Sequence, residues 1–326
     1  MDKNTITGFV LIAALIIGFS WFNKPSDEEI AQQRTQDSIA NVQKEKAKQQ
    51  QAANAAAAKA MAKIDTTAAF HEALAGKAQK VTLKNQKVEL TFNSKGATVE
   101  KAVIKGFKDY KGNKDVTLFD GKDQSLNFML AGKETNLITS DMYFTPSEVT
   151  DSTVVFTASA AEGKSLTISY TLGKDYMLHA SIQANGMSGM FAPNYNAMDV
   201  EWKDKCRQQE KGFTFENRYA TLTYHLTEGG TDYLGETKEL TDEAVEDNID
   251  WVAFKNQFFS AVMIAKNDFG KNAKMTSIPQ EKGSGYLKQY GAKMKTFFDP
   301  TGKQPTELEF YYGPNDFRLL QNVEEE

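Results

Sequence analysis

"VTLKNQKVELTFNSKGATVEKAVIKGF", residues 81–107, alternates through its middle: Val88, Leu90 and Phe92 against Glu89, Thr91 and Asn93. A period of two marks a strand with one buried face. Ser94 to Gly96 interrupts it with turn-forming residues, so the stretch predicts a β-hairpin. The pattern returns in "STVVFTASAAEGKSLTISYTLGKDYMLHASIQA", residues 152–184, where Val155 and Thr157 oppose Val154 and Phe156 while Gly163 and Gly173 mark turns. Further strands are expected at Met198–Lys203, Phe213–Phe215, Leu222–Leu226, Ala261–Ile264, Gly285–Tyr290, Met294–Phe298 and Leu308–Tyr312. Many short strands with hardly any helical pattern between them predict one large all-β sandwich over residues 81–320.

Composition agrees with a folded chain. The 326 residues are 40% hydrophobic and 11% aromatic, ordinary globular usage. A net charge of −5 provides no basic field to gather phosphates, which excludes a general nucleic-acid binder. The single cysteine, Cys206 in "EWKDKCRQQEK", has no second thiol and no nearby histidine, so neither an internal disulfide nor a zinc or CxxC site can form. A small half-buried filler or an inert surface thiol is the expectation for it.

Upstream lies "TITGFVLIAALIIGFSWFN", residues 5–23, with no charge from Ile6 to Phe22. As a helix that run spans about 25 Å, the short end of a membrane crossing. A cleavable signal would need small residues at its exit, whereas Trp21 and Phe22 stand there and suit headgroup depth. Residues 6–23 are therefore expected to be an uncleaved membrane helix, anchored by Phe9, Leu11, Ile12, Leu15, Ile16, Phe19, Trp21 and Phe22. Lys3 on one side and Lys24 on the other orient it only weakly. Residues 24–80 follow as an Ala/Gln/Lys-rich spacer. Its stretch Ser26–Ile64 lacks Gly, Pro and any apolar stripe; fully helical it would reach almost 60 Å, and a disordered tether would be shorter. A coiled coil is the sharper alternative, but Ile30, Ile39, Met61 and Ile64 keep no heptad.

Three stretches carry a family resemblance. "MDKNTITGFVLIAALIIGFSWFN" resembles the start of Bacteroidetes-type YidC membrane protein insertases of the Oxa/YidC/Alb family. "DNIDWVAFKNQFFSAVMIA", residues 247–265, is similar to their block carrying Trp251, Lys255, Phe258 and Phe259. "LEFYYGPNDFRLLQ", residues 308–321, is similar to their segment carrying Tyr312, Gly313 and Pro314. "SKGATVEKAVIKGF" and "YTLGKDYMLHASI" resemble family strands as well, so the likeness covers essentially the whole chain.

The resemblance implies a cytoplasmic start at residues 1–5, an inner-membrane helix, a periplasmic β-supersandwich related in fold to galactose mutarotases, and a tail at 321–326. It implies as partners the lipid bilayer, the Sec components SecYEG and SecDF, and nascent membrane proteins, with no cofactor. In the family, five further membrane helices form a groove with an intramembrane arginine. Here Arg34, Arg207, Arg218 and Arg318 all lie in polar or mixed sequence, and no second uncharged run of about 18 residues exists. On this reading the chain is the first part of an insertase, ahead of the family's interfacial helix.

The motif residues also carry a physical reading. Trp251, Phe254 and Phe258 fall at helical spacing before Val262 and Ile264 alternate, which suggests a short turn feeding a buried strand. Core packing is the plain explanation and an aromatic partner surface the functional one. In "YYGPNDF", Gly313 offers backbone freedom and Pro314 fixes φ, as at a strand exit returning the chain to the membrane. A carbohydrate-binding or mutarotase-like sandwich is the rival, and would need a base and an acid converging in a cleft. Only His71, His179 and His225 are available, and Asp199 with Glu201 reads as a solvated strand face. "GSGY" at 283–286 lacks the strand–helix context of a phosphate loop. No catalysis and no small-molecule substrate are expected. A plain anchored scaffold is the third reading.

Overall fold

The computed structural model describes residues 70–160, 163–234 and 241–315. The expected membrane helix at 6–23, most of the spacer and the tail at 321–326 lie outside the described residues. Among the described residues, no helix is long and apolar enough to cross a membrane.

Four antiparallel strands, β1 (Lys80–Lys84), β2 (Val88–Asn93), β3 (Thr98–Lys108) and β4 (Asp115–Asp120), form a small sheet in that order. Val88, Leu90 and Phe92 are fully buried, as their alternation requires. The β2–β3 hairpin turns at Ser94–Ala97, where Gly96 and Ala97 take positive φ.

The next strands are β5 (Gln124–Leu130), β6 (Leu137–Ile138), β7 (Thr145–Ser147), β8 (Thr153–Ser159), β9 (Ser165–Leu172), β10 (Met177–Asn185) and β11 (Ala197–Arg207). After them come β12 (Thr221–Leu226), β13 (Thr231–Leu234), β14 (Thr241–Val245), β15 (Ile249–Lys255), β16 (Phe259–Phe269), β17 (Ala273–Pro279), β18 (Tyr286–Phe297) and β19 (Thr306–Pro314). These strands hydrogen-bond into one sheet with two leaves. One leaf runs β6-β5-β11-β18-β17-β14, the other β7-β8-β9-β10-β19-β16-β15-β12-β13. Between the leaves the pairing reduces to Phe269 opposite Thr296.

The leaves face each other through aromatic rings. Trp202 of β11 stacks on Phe254 of β15 with centroids 4.0 Å apart, and Phe254 stacks on Tyr290 of β18 at 5.3 Å. The small sheet covers the rest of the second leaf's inner face: Phe92 meets Phe156 and Tyr170 at 5.9 and 4.8 Å, and Phe119 meets Tyr312 at 5.5 Å. Tyr170, fully enclosed there, donates its hydroxyl to the Ala97 carbonyl at 2.8 Å. Each such ring removes enough apolar surface from water to contribute about 1.5–3 kcal/mol, and together they join three layers into an all-β sandwich.

Three expected strands come out differently. Phe213–Phe215 opens a helix, α1 (Phe213–Tyr219), because the buried Glu216 carboxylate folds back onto the N–H groups of Gln209 (3.0 and 3.2 Å) and Glu210 (2.9 Å). Three residues are too short a window for any periodicity to decide. The stretches 285–290 and 294–298 are one strand, β18, whose outward Gly291, Lys293 and Lys295 alternate with buried Tyr290, Ala292 and Met294.

Candidate functional site

Asn256, buried at the tip of the β15–β16 hairpin, accepts the N–H groups of Phe258 (2.9 Å) and Phe259 (2.8 Å) on its side-chain oxygen. Such an Asx turn reverses the chain without glycine. Beyond it β16 pairs with β19, Phe259 opposite Pro314, Ser260 opposite Gly313 and Ala261 opposite Tyr312. Asn315 closes the junction: its N–H donates to the Phe258 carbonyl (2.7 Å), its side-chain amide to the Asn256 carbonyl (3.0 Å), and it accepts the Ser260 hydroxyl. The two motif blocks, about 50 residues apart in the chain, are thus one clasp.

Each motif residue has a definite place in it. Trp251 and Phe254 project from opposite faces of β15 and do not form a helical turn. Pairing with β12 on one side and β16 on the other imposes the strand and overrides the 3.6-residue spacing. Trp251 stacks on His225 with centroids 5.9 Å apart. Lys255 is half buried, which lowers its ammonium pKa, and its carbonyl accepts the Tyr290 hydroxyl at 3.0 Å. Phe259 is buried edge-on to Phe107 at 5.5 Å, whereas Phe258 is 45% exposed at the tip. Tyr312 is buried among Phe119 and Phe310. Gly313 is needed for space and not for a special φ: a Cβ there would lie 2.7 Å from the Tyr311 ring and 2.8 Å from the Tyr176 ring. The strand runs on through Pro314, whose carbonyl accepts the Tyr311 hydroxyl at 2.5 Å.

Further exposed aromatics lie at the same end of the molecule and carry no motif. Tyr219 closes α1 two residues before Thr221, which stands opposite Lys255, and it packs against Phe215 at 5.2 Å. Phe107 ends β3 on the Phe259 ring, and Tyr110 donates its N–H to the Gln209 carbonyl (3.2 Å) ahead of α1. In sequence these rings sit in Lys-, Gly- and Asn-rich turns, where an apolar residue breaks no pattern.

The candidate catalytic groups do not converge. His179, Glu309, Ile264, Trp251 and His225 form one lateral row across the second leaf. Four strand spacings put the two histidines about 19 Å apart. His179 bonds Glu309 at 3.2 Å, and His225 bonds Asp250 at 2.9 Å. An open groove of about 490 Å³ on the outer face of β5, β11, β17 and β18 includes Asn127, Asp199, Glu201, Lys274 and Lys293. Its acids are engaged, Glu201 by Lys203 (2.6 Å) and Lys293 (3.4 Å), Asp199 by Lys295 (3.9 Å). Burial draws the Glu201 carboxyl upward, but the two lysines outweigh it and hold it below its ordinary value, the opposite of a poised base. Among the described residues no three His, Cys, Asp or Glu side chains group as metal ligands.

Comparison with known proteins places these features in a family. The family described as "YidC periplasmic domain" matches residues 80–326. The membrane protein insertase YidC of Phocaeicola vulgatus is 50% identical over 325 residues, covering 99% of this chain and 52% of that protein. Its Bacteroides fragilis counterpart is 44% identical over 324 residues (98% and 52%), and that of Parabacteroides distasonis 35% identical over 342 (99% and 53%). The chain spans about half the length of these curated relatives. Among solved structures, a galactose mutarotase-like protein from Lactobacillus casei is 12% identical, with 73% of this chain and 100% of that chain covered and a TM-score of 0.45.

Proposed function

The chain belongs to the YidC periplasmic domain family, and from that premise we propose that it is the anchor and periplasmic module of a membrane protein insertase. The observation that carries this is the 50% identity, running over 99% of the chain, to a protein named as such an insertase. Residues 6–23 hold the module in the inner membrane, residues 24–80 space it away, and residues 81–320 fold on the periplasmic side. Its work is to support insertion and folding of membrane proteins, alone or beside SecYEG and SecDF, and it catalyses no covalent chemistry. The Asn256–Asn315 clasp supports this reading, because it fixes where the chain leaves the sandwich.

A chimera tests it. This chain replaces the matching part of the Phocaeicola vulgatus insertase, and the fusion is expressed in cells depleted of their own insertase. Restored growth and membrane-protein insertion are expected. A chimera that is folded and membrane-bound yet inactive would overturn the assignment.

A further inference from the structure

We propose that the end of the sandwich bearing Phe107, Tyr110, Phe215, Tyr219 and Phe258 rests on the anionic headgroup surface of the bilayer. The proposal rests on the reading of the chain as a membrane-tethered module and adds the surface by which it meets the lipid.

Seven large apolar side chains are exposed among the described residues, and these five cluster at one end; Tyr233, opposite Thr223, borders the cluster, and Val149 lies at the far edge of the same end, near Asp151, whose carbonyl accepts the Lys84 N–H. Register fixes the clustering. Phe258 is the tip of the β15–β16 hairpin, Thr221 beside Tyr219 stands opposite Lys255, and Phe107 lies on the ring next to that tip. Tyr110 reaches α1 through Gln209, which also binds Glu216 of that helix. The aromatics sit on a hairpin tip, a turn and a short helix, not in a groove that could seat a partner's side chain. Protruding rings of this kind suit a headgroup layer, which accepts them at many depths and needs no shape match.

Charge selects the same partner. Lys108, Lys111, Lys114, Lys211 and Arg218 surround the rings, against Asp109, Asp115 and Glu210, while Glu216 is buried. Among the described residues this end is therefore basic, in a chain of net charge −5. The Lys111 ammonium lies 5.6 Å over the Tyr110 ring, a cation held beside an aromatic as at a lipid interface. The described residues end at the same place: Asn315, the last of them, donates its N–H to the Phe258 carbonyl beside this patch. Residues 73–76 enter near Tyr143 and Lys95, at the other end of β3, about 36 Å away for eleven residues. A spacer able to reach almost 60 Å is long enough to permit that arrangement.

The test uses the full chain in vesicles of phosphatidylethanolamine and phosphatidylglycerol. An environment-sensitive fluorophore is placed on F258C, on Y110C and, as reference, on S140C, an exposed position beside Gly96 at the opposite end of the small sheet. The native Cys206 is buried and stays unlabelled. Labels at 258 and 110 are expected to shift to the blue and be quenched by nitroxide lipids at least twice as strongly as the label at 140. Replacing phosphatidylglycerol by phosphatidylcholine, or introducing K111E with R218E, should at least halve that quenching. Water-like emission at 258 overturns the proposal. So does quenching indifferent to lipid charge, or a blue shift that grows with protein density without nitroxide quenching, which would mark a second copy as the partner. The readout needs no inserted client, so an inactive chimera with quenched labels sinks only the proposed function, and an active chimera with water-like labels sinks only this surface.

Discussion

Phe259 and Pro314 stand directly opposite each other across β16 and β19, with Ser260 and Gly313 as the next pair. At Gly313 the Tyr311 and Tyr176 rings close over the backbone with no room for a methyl group. Gly313→Ala must displace an aromatic ring in a packed region, and overpacking of this kind costs about 1–3 kcal/mol. Gly189, whose Cβ position is open, is the control, expected within about 0.5 kcal/mol of the parent. Urea unfolding of both variants checks the difference; equal midpoints would contradict the close approach.

Asp204 gives the fold a pH dependence of definite sign. Burial raises its carboxyl pKa well above the ordinary value; the Asp123 carboxylate adds to this and Arg207 opposes it. Oδ1 has no hydrogen-bond partner. Cys206, Tyr290 and the buried Lys288 share its surroundings. Since the folded state holds this proton more tightly than the unfolded chain, the contribution of Asp204 is fully present below pH 3.8 and is lost as pH rises through the raised folded value. Asp204→Asn should therefore gain on the parent as pH rises and lose that advantage in acid. Urea midpoints across a pH series decide it, and a constant difference would show that Asp204 does not titrate between the two states.

The alternation in β2, β8, β9 and the first half of β11 was legible because one side of each strand meets an apolar layer, so composition and burial coincide residue by residue. Asp204 breaks that coincidence. It holds an inward position between Trp202 and Cys206, and a buried carboxylate follows from long-range neighbours that no local window contains. The same limit explains Phe213–Phe215, where Glu216 reaching back to Gln209 decides for a helix. The motif residues were visible as a set, but their junction was not, because β16 and β19 are joined through two intervening strands. The exposed rings at Phe107, Tyr110 and Tyr219 escaped notice because single apolar residues in polar turns are common.

Cys206 should behave as a core atom. Burial pushes its thiol pKa well up, nearby Asp204 and Glu216 add to this, and Lys288 partly offsets it. Both accessibility and thiolate fraction are then low, so a disulfide reagent should modify it only as fast as the domain opens. Cys206→Ser exchanges a weakly polar group for a hydroxyl in the same place, at a cost of about 1–3 kcal/mol if that hydroxyl finds no acceptor. Rapid modification in native buffer would show that the strand pair β11–β18 opens locally.

Phe70 and Ala73 are buried, and the Ala73 carbonyl accepts the Tyr143 N–H at 2.6 Å, although both precede β1. Removing residues 1–69 should leave a β-rich unit with a sharp, cooperative melt. Removing residues 1–80 should leave the same fold less stable by about 3 kcal/mol, the loss of one buried phenylalanine and its neighbours. Circular dichroism with urea titration measures both, and a broad melt of the longer fragment would count against a self-sufficient sandwich.

The chain of 326 residues is expected not to insert membrane proteins by itself. Placing a charged side chain at the centre of a bilayer costs about 2.5–3.5 kcal/mol even on lenient insertion scales, so a catalyst has to offer polar groups or a wetted cavity within the membrane. The apolar stretch Ile6–Phe22 carries only Thr7, Ser20 and the Trp21 indole N–H as side-chain hydrogen-bonding groups, all near its ends. In the helix expected there, the two hydroxyls would bond carbonyls one turn back and Trp21 would stand at headgroup depth. The basic and aromatic end of the sandwich lies in water or headgroups and cannot lower that cost at the bilayer centre. Vesicles carrying the chain should therefore protect a small Sec-independent client from protease no better than empty vesicles. Protection well above that level would locate insertion activity in this chain, and cross-linking between copies at residues 6–22 would then show whether oligomers of that stretch build a polar path.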